Sequence, residues 1–326
     1  MNFTNLSRRD AAWIATASLA QTFASVSADE ASTAPVAALG YTDPKTSYWK
    51  FGLILKPPVT CSNIYATFPV LREWEEQKVR LVDETIDPTT TRYEKRTLQA
   101  TIDQIRLTIP RVRAGERAEV TFTYEVTRSK IQTLIEREAL SIPKRVDREL
   151  KFYLGNSPNI DSSHPMIRKA SRELAGFEYD SDWARLEDIY DYVRDKVRYV
   201  EGPIRRASDA LRTGEGDCED MTSLFVAMCR NAGVPARMVW IPGHCYPEFY
   251  LIDEDKNGHW FPCQAAGTRA FGEMPEERPV IQKGDKFKVP ESRKPLRYVS
   301  EFFRCDRSGS KDPSPVFLMK KVPAVS

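Results

Sequence analysis

The sequence predicts an α+β protein in which an antiparallel β-sandwich precedes a domain where a helix carrying a cysteine packs on an antiparallel sheet. A change of pattern along the chain supports this. Apolar and polar residues alternate with a period of two through the first half, whereas apolar residues recur at helical spacing in the second half. A chain of 326 residues is longer than the domains that a single hydrophobic core usually supports, so two domains are expected.

The composition excludes several classes of protein. With 48 Lys and Arg residues against 46 Asp and Glu residues, the chain lacks the basic excess of nucleic-acid binders, so we expect no nucleic-acid partner. Hydrophobic residues make up 41% of the chain, which is enough for packed cores and too many for a disordered protein. Because no long apolar run follows residue 30, we expect no transmembrane helix in the mature chain.

Residues 1–28 have the features of an export signal. Arg8-Arg9 precedes a mildly apolar stretch that ends in Val26-Ser27-Ala28, a small-x-small cleavage pattern. The paired arginines resemble a bacterial twin-arginine signal, although the apolar pair expected after them is missing. A soluble helix over Asp10–Ala20 is the alternative interpretation. We expect an exported protein, periplasmic or associated with the cell envelope, with a linker over residues 29–45.

Residues 46–135 are predicted to form the β-sandwich. Several segments alternate between apolar and polar residues, as antiparallel strands with one buried face do. These segments are 49–56, 64–70, 105–109 and 118–127. The region from Tyr41 to Ile131 contains no histidine, so we expect a structural or binding role for it.

Residues 150–270 are predicted to form the catalytic domain. Apolar residues at helical spacing indicate a short helix over Pro165–Ala175 and an amphipathic helix over Asp182–Tyr199. A glycine-broken loop then opens a third helix, for which Asp217 is a good N-cap. Cys218 therefore takes the first helical position, where free N–H groups and the helix dipole lower a thiol pKa and can hold an oxyanion.

Of the three histidines, His244 is the candidate partner for Cys218. His164 lies in a polar loop, and His259 is expected at a turn. His244 begins an extended run, and Gln264 follows on the next predicted strand. A cysteine at a helix start, a histidine on a strand and a polar residue on the next strand form the papain-like arrangement for thiol acyl transfer.

The six cysteines do not predict a disulfide framework, because a chain of this length does not need disulfide cross-links to be stable. They do not predict a zinc site either, because no two cysteines have the close spacing of zinc ligands. If His244 opposes Gln264 across the predicted hairpin, Cys245 opposes Cys263. A metal site of Cys218, His244, Cys245 and Cys263 is disfavoured, because adjacent strand residues point to opposite faces. We therefore expect no metal and no cofactor.

Four blocks of sequence occur in order at suitable separations between Ala207 and Ala266. They are Gly216-Asp217-Cys218-Glu219-Asp220, Gly233-Val234-Pro235-Ala236-Arg237, His244-x-Tyr246-x-Glu248-x-Tyr250 and Trp260. Together they resemble the bacterial transglutaminase-like family. The resemblance implies a papain-like core, often with an N-terminal β-sandwich, and it places the nucleophile on Cys218 and the base on His244. It also implies a peptide or an amide side chain as the substrate.

The third catalytic position departs from the family pattern. The family usually has Asp four residues after the strand tryptophan, and this chain has Gln264 there. A glutamine carbonyl can orient the histidine, but it cannot stabilise the imidazolium by charge. Glu248 and Asp253 are the alternatives for this role. The remaining candidates for the oxyanion site and the cleft are Tyr199, Asp217, Tyr246, Glu248 and Trp260.

Two functions from different classes compete. The first is an exported thiol enzyme that forms an acyl-enzyme at Cys218 and hydrolyses or transfers an amide of a peptide or protein. The second is a catalytically silent domain that binds peptide or a cell-envelope polymer, and the neutral Gln264 favours it. The tail over residues 271–326 is expected to be an extended arm lying on the catalytic domain.

Overall fold

The computed structural model describes residues 37–89 and 92–324. The predicted export signal, residues 1–28, lies outside the described residues, as do residues 29–36 of the predicted linker. Among the described helices, none is both long enough and apolar enough to cross a membrane.

The first half of the chain forms six strands in two antiparallel layers. They are β1 (Leu39–Leu55), β2 (Cys61–Val70), β3 (Gln77–Ile86), β4 (Arg92–Leu98), β5 (Ile102–Val112) and β6 (Ala118–Thr133). In one layer β6 lies between β1 and β3, and in the other β5 pairs with β2 and β4. Apolar side chains of both layers, including Phe51, Phe68 and Phe122, share one buried core. The predicted β-sandwich and the α+β class are confirmed.

Period-two alternation misses part of this sandwich. It does not predict β3 or β4, because both strands are rich in charged and exposed residues and bury few apolar side chains. It also begins β1 too late, since the strand starts at Leu39, inside the predicted linker, and pairs there with Thr133. A register shift between Thr42 and Lys45 and the exposure of this segment remove the alternation.

The helices that the structure describes all follow β6 along the chain. They are α1 (Arg148–Lys151), α2 (Pro165–Leu174), α3 (Asp182–Lys196), α4 (Ala207–Thr213) and α5 (Cys218–Asn231), preceded by a 3₁₀ turn over Arg137–Ala139. Helix α3 ends at Lys196 and not at Tyr199 as predicted, because Val197 has an extended backbone. The next two residues form β7 (Arg198–Tyr199), which pairs in parallel with β8 (Glu215–Gly216).

Three further strands support the helices. They are β9 (Ala236–Ile241), β10 (His244–Ile252) and β11 (Gly258–Pro262). Helix α5 packs on β9 and β10, and α2, α3 and α4 pack on α5. A second apolar core lies between the helices and these strands and includes Phe225 and Phe249.

The hairpin of β10 and β11 differs from its prediction. His259 lies within β11 and not at a turn, and its Nε2 is 2.9 Å from Asp253 Oδ2. Cys245 pairs with Trp240 on β9 and does not oppose Cys263. The reason is a register that pairs Glu248 with Pro262.

A two-residue strand, β12 (Gln282–Lys283), joins the two halves. It pairs with β9 on one side and with β5 on the other, so the sheet of the second half continues into one layer of the sandwich as eight strands. The predicted C-terminal arm therefore does more than lie on the catalytic domain. Its last strands, β13 (Phe302–Arg307) and β14 (Val316–Val322), pair with β2 and β1 and extend both layers.

Candidate active site

Cys218 is the first residue of helix α5, as predicted, and a capping box fixes this helix start. Asp217 Oδ1 accepts the N–H groups of Glu219 and Asp220 at 2.9 and 3.0 Å. In return, Asp220 Oδ2 accepts the N–H of Asp217 at 3.3 Å. Gly216 leaves room for this closure, because a Cβ on it would lie 2.6 Å from the Asp220 Cβ. The cap leaves the N–H of Cys218 outside these bonds, at the positive end of the helix dipole.

His244 faces this helix start from the first position of β10. It follows Gly243, whose φ of 71° lies in the left-handed region and turns the chain between β9 and β10. His244 Nε2 is 3.0 Å from Gln264 Oε1. Because the amide oxygen can only accept, Nε2 carries the proton, and Nδ1 is left to face the Cys218 sulfur.

The backbone of Gln264 is anchored from two directions. Its carbonyl accepts hydrogen bonds from Tyr190 Oη at 2.9 Å and from Arg194 at 3.0 Å. Its N–H donates to the carbonyl of Ala270 at 2.8 Å. A long glutamine side chain is thereby held where its amide oxygen meets the imidazole.

The protonation equilibria favour a thiolate and an imidazolium. The pKa of Cys218 is lowered to about 4, first by a hydrogen bond from the Cys245 thiol and then, against the effect of burial, by the hydrogen bond and charge of His244. Burial is the largest single effect on His244 and lowers its pKa. The hydrogen bonds to Cys218 and Gln264 together outweigh it, so the pKa of His244 lies above its ordinary 6.5.

The acids beside Cys218 are prevented from opposing the thiolate. Glu219 pairs with Arg297, and burial raises its pKa to about 7, which weakens its negative charge at neutral pH. Asp220 is buried, and its Oδ1 accepts the N–H of Arg205 at 2.8 Å. The carboxylates of Asp217, Glu219 and Asp220, whose negative charges would disfavour the thiolate, are thus engaged in helix capping and ion pairs.

Three of the other predicted site residues lie away from the Cys218 sulfur. Tyr246 is fully buried and accepts a hydrogen bond from Arg128 at 3.0 Å. Glu248 is also buried and binds Arg237 and Lys283, each at 2.7 Å. Trp260 stacks under the Arg237 guanidinium at 4.0 Å.

The alternatives for the third position have other partners. Asp253 pairs with His259, and Glu248 with the cations just described, so Gln264 is the only one of the three candidates that contacts His244. Tyr199 lies on β7 beside Gly216 and is 52% exposed. The negative charge of Cys218 contributes to a raised Tyr199 pKa, after the larger effect of burial. Its role as an oxyanion donor stays a prediction.

Two cavities flank the reactive pair. One, of about 270 Å³, contains Cys218, His244 and Cys245. The other, of about 680 Å³, lies on the Gln264 side. The sequence does not predict the walls that the C-terminal segment supplies. These walls are Arg278, Ile281, Arg297, Tyr298 and Met319.

The geometry agrees with the comparison to known families. Residues 168–265, which include Cys218, His244 and Gln264, match the model of the transglutaminase-like superfamily. The chain contains a transglutaminase-like domain. The match begins within α2 and ends just after β11. The transglutaminase-like domain therefore includes both the helix that carries Cys218 and the strand that carries His244.

A solved structure has a similar fold. A candidate cysteine protease from Cytophaga hutchinsonii superposes with a TM-score of 0.56 at 16% identity, covering 86% of this chain and 99% of its own. A candidate protease from Parabacteroides distasonis matches at 11% identity over 71% of this chain and 48% of its own, with a TM-score of 0.28. No curated protein matches the sequence. The transglutaminase-like domain and its sandwich thus share their fold with a candidate cysteine protease.

Proposed function

We propose that the protein is a thiol enzyme that hydrolyses or transfers an amide acyl group of a peptide or protein. The observation that carries the proposal is the ordered contact from the Cys218 sulfur through the His244 imidazole to the Gln264 amide oxygen. A silent binding domain needs no such order. The neutral amide of Gln264 is sufficient, because papain-like proteases orient their histidine with a neutral Asn.

The reaction follows from the protonation states. The Cys218 thiolate attacks the amide carbonyl, and the N–H of Cys218 at the helix start donates to the developing oxyanion. The His244 imidazolium protonates the leaving amine through Nδ1. His244, now neutral, takes a proton from water or an acceptor amine, which attacks the thioester and releases Cys218. Throughout the reaction, Gln264 Oε1 accepts the hydrogen bond from Nε2–H and keeps the ring oriented.

The cleft supports an extended substrate. The 270 Å³ cavity extends the site on the Cys218 side, and the 680 Å³ cavity extends it on the Gln264 side. A chain laid across both would pass the reactive pair with residues on each side of the scissile amide. A peptide, a protein segment or a peptide-bearing cell-envelope polymer has this form.

Selective alkylation tests the proposal. We expect iodoacetamide to modify Cys218 faster than every other cysteine from about pH 5 to about pH 8, because only its thiolate is stabilised by a thiol and an imidazolium. Mass spectrometry of each cysteine-containing peptide gives the rates. Cys61 and Cys305 are the internal controls, and Cys218→Ala is the negative control. If Cys218 reacts no faster than Cys305, the enzyme proposal is wrong and the silent binding domain is favoured.

Replacement of Gln264 tests the third position. Gln264→Ala should lower turnover by at least roughly tenfold, because the imidazole loses its orientation. This loss is part of the ~10²–10⁴-fold that a general acid–base group contributes to the rate. Gln264→Asp adds a negative charge beside the imidazole and should raise the pKa of His244, which extends the thiolate–imidazolium pair to higher pH. The pH profile of Cys218 alkylation measures both effects. An identical profile in both variants and the parent would remove Gln264 from the mechanism.

We also propose that the enzyme is exported and acts in the periplasm or at the cell envelope. The support is the sequence of residues 1–28, with Arg8-Arg9 and the small-x-small pattern at Val26-Ser27-Ala28. The mature chain is expected to begin near Asp29. Sequencing the N-terminus of native, fractionated protein decides this, and an intact Met1 would contradict export.

A further inference from the structure

Cys245 is a second thiol in contact with the nucleophile. It follows His244 on β10, is 2% exposed, and lines the same cavity as Cys218. Hydrogen bonding from its thiol is the largest cause that lowers the pKa of Cys218, and its backbone N–H contributes as well. Strand alternation separates His244 from Cys245, but both reach Cys218, because the helix start lies over the first two residues of β10.

Burial keeps the Cys245 sulfur protonated. The pKa of Cys245 is raised well above its ordinary value, first by burial and then by its contact with Cys218. Cys245 therefore lies beside the Cys218 thiolate as a thiol, and it can attack oxidised sulfur as its proton passes to the departing hydroxide.

The other close thiols of the chain lack this arrangement. Cys61 and Cys305 contact each other on β2 and β13, but burial raises the pKa of Cys305 to about 11. Cys263 is fully buried, and its pKa is raised well above the ordinary value by burial and by Cys229. Among the described cysteines, Cys218 is the one whose pKa is lowered, and Cys245 is the thiol beside it in the same cavity.

We propose that Cys245 is the resolving thiol of Cys218, so that a hydroperoxide converts the two cysteines into a reversible disulfide that switches the enzyme off. The inference rests on the proposed function, because the disulfide removes the nucleophile. It adds a modification site and a form of regulation that the acyl-transfer mechanism does not require.

The chemistry balances with hydrogen peroxide as the oxidant. The Cys218 thiolate attacks one peroxide oxygen, an S–O bond forms, the O–O bond breaks, and the departing hydroxide takes the His244 proton to become water. The sulfur of Cys218 is oxidised by two electrons, and the peroxide is reduced. The Cys245 sulfur then attacks the Cys218 sulfenic acid, an S–S bond forms, the S–O bond breaks, and hydroxide leaves with the Cys245 proton as water. A dithiol reverses the bond by exchange.

Peptide mapping of the oxidised full-length protein tests the inference. The protein is treated with limiting hydrogen peroxide, the remaining thiols are blocked, and a non-reducing tryptic digest is sequenced by fragmentation. Fragmentation is needed because Cys218 and Cys229 share one tryptic peptide. We expect a Cys218–Cys245 bond, loss of Cys218 alkylation, and recovery of that alkylation with dithiothreitol.

Variants separate the resolving role from a structural one. In Cys245→Ser we expect Cys218 to proceed to sulfinic acid, with alkylation not recovered by dithiothreitol. Cys305→Ser and Cys263→Ser are matched controls and should behave as the parent. If the parent protein forms no Cys218–Cys245 bond and its Cys218 reaches sulfinic acid as fast as in Cys245→Ser, the inference is wrong. The peptide map of the parent shows whether the bond forms, even if a variant does not fold. If untreated Cys218 is alkylated rapidly but peroxide forms no Cys218–Cys245 bond, only the redox switch is refuted. If untreated Cys218 is alkylated slowly, the proposed enzyme activity itself is refuted.

Discussion

His244→Ala is expected to move the pH midpoint of Cys218 alkylation from acidic pH towards the ordinary thiol range. The imidazolium stabilises the thiolate by a hydrogen bond and by its charge, and both are lost in the variant. Since the parent pKa is about 4, its thiolate is fully formed at pH values where the variant is partly protonated. Alkylation near pH 6 should slow by at least roughly tenfold, because each unit by which a pKa exceeds the pH costs a factor of ten in thiolate.

Turnover should fall further than alkylation in the same variant. His244 also delivers the proton to the leaving amine, and a general acid–base group contributes about 10²–10⁴-fold. His259→Ala is the matched control, since His259 pairs with Asp253 on the hairpin. If His244→Ala and His259→Ala give the same alkylation profile as the parent, the imidazole does not act on Cys218.

Glu248→Ala is expected to lower the free energy of unfolding by about 3–5 kcal/mol, the usual cost of leaving a buried charge unpaired. Glu248 is 1% exposed and holds Arg237 and Lys283, whose own pKa burial lowers to about 8. Without Glu248, Arg237 loses its carboxylate partner, and Lys283 shares the carboxylate of Glu76 with the buried Arg128. Urea denaturation measures the loss.

A surface carboxylate provides the comparison for Glu248. Glu125 pairs with Arg80, whose side chain is 68% exposed, and such exposed pairs contribute little to stability. Glu248→Ala should retain the alkylation profile of Cys218 while it remains folded, because Glu248 contacts neither Cys218 nor His244. A destabilisation as small as that of Glu125→Ala would contradict the assigned role.

Local pattern in the sequence predicts the centre of the site but not its surroundings. Capping residues and helical spacing place Cys218 at a helix start, and spacing together with the family resemblance points to His244 and Gln264. Glu248 shares a strand face with His244, yet the cavity around Cys218 reaches only the first two residues of β10. One of the two cations that bind Glu248, Lys283, comes from β12, and no local pattern encodes that distant pairing.

The same reason explains the strands that the sequence misses. Charged residues on β3 and β4 face solvent, so they carry no alternation although both strands complete a layer. Strand alternation also places Cys245 and His244 on opposite faces of the sheet, and this holds within a continuous strand. At the end of a strand the helix start can reach both residues, and this geometry depends on the packing of α5, which is a tertiary property.

The pairing of β14 with β1 brings the last strand that the structure describes beside the first. Seven residue pairs join Tyr48–Ile54 to Val316–Val322. During synthesis, β1 leaves the ribosome long before β14 is made, and its outer edge lacks this partner in the meantime. The layer is therefore completed only once residues 316–322 have emerged, and the nascent protein has to keep an open, aggregation-prone edge from other chains until then.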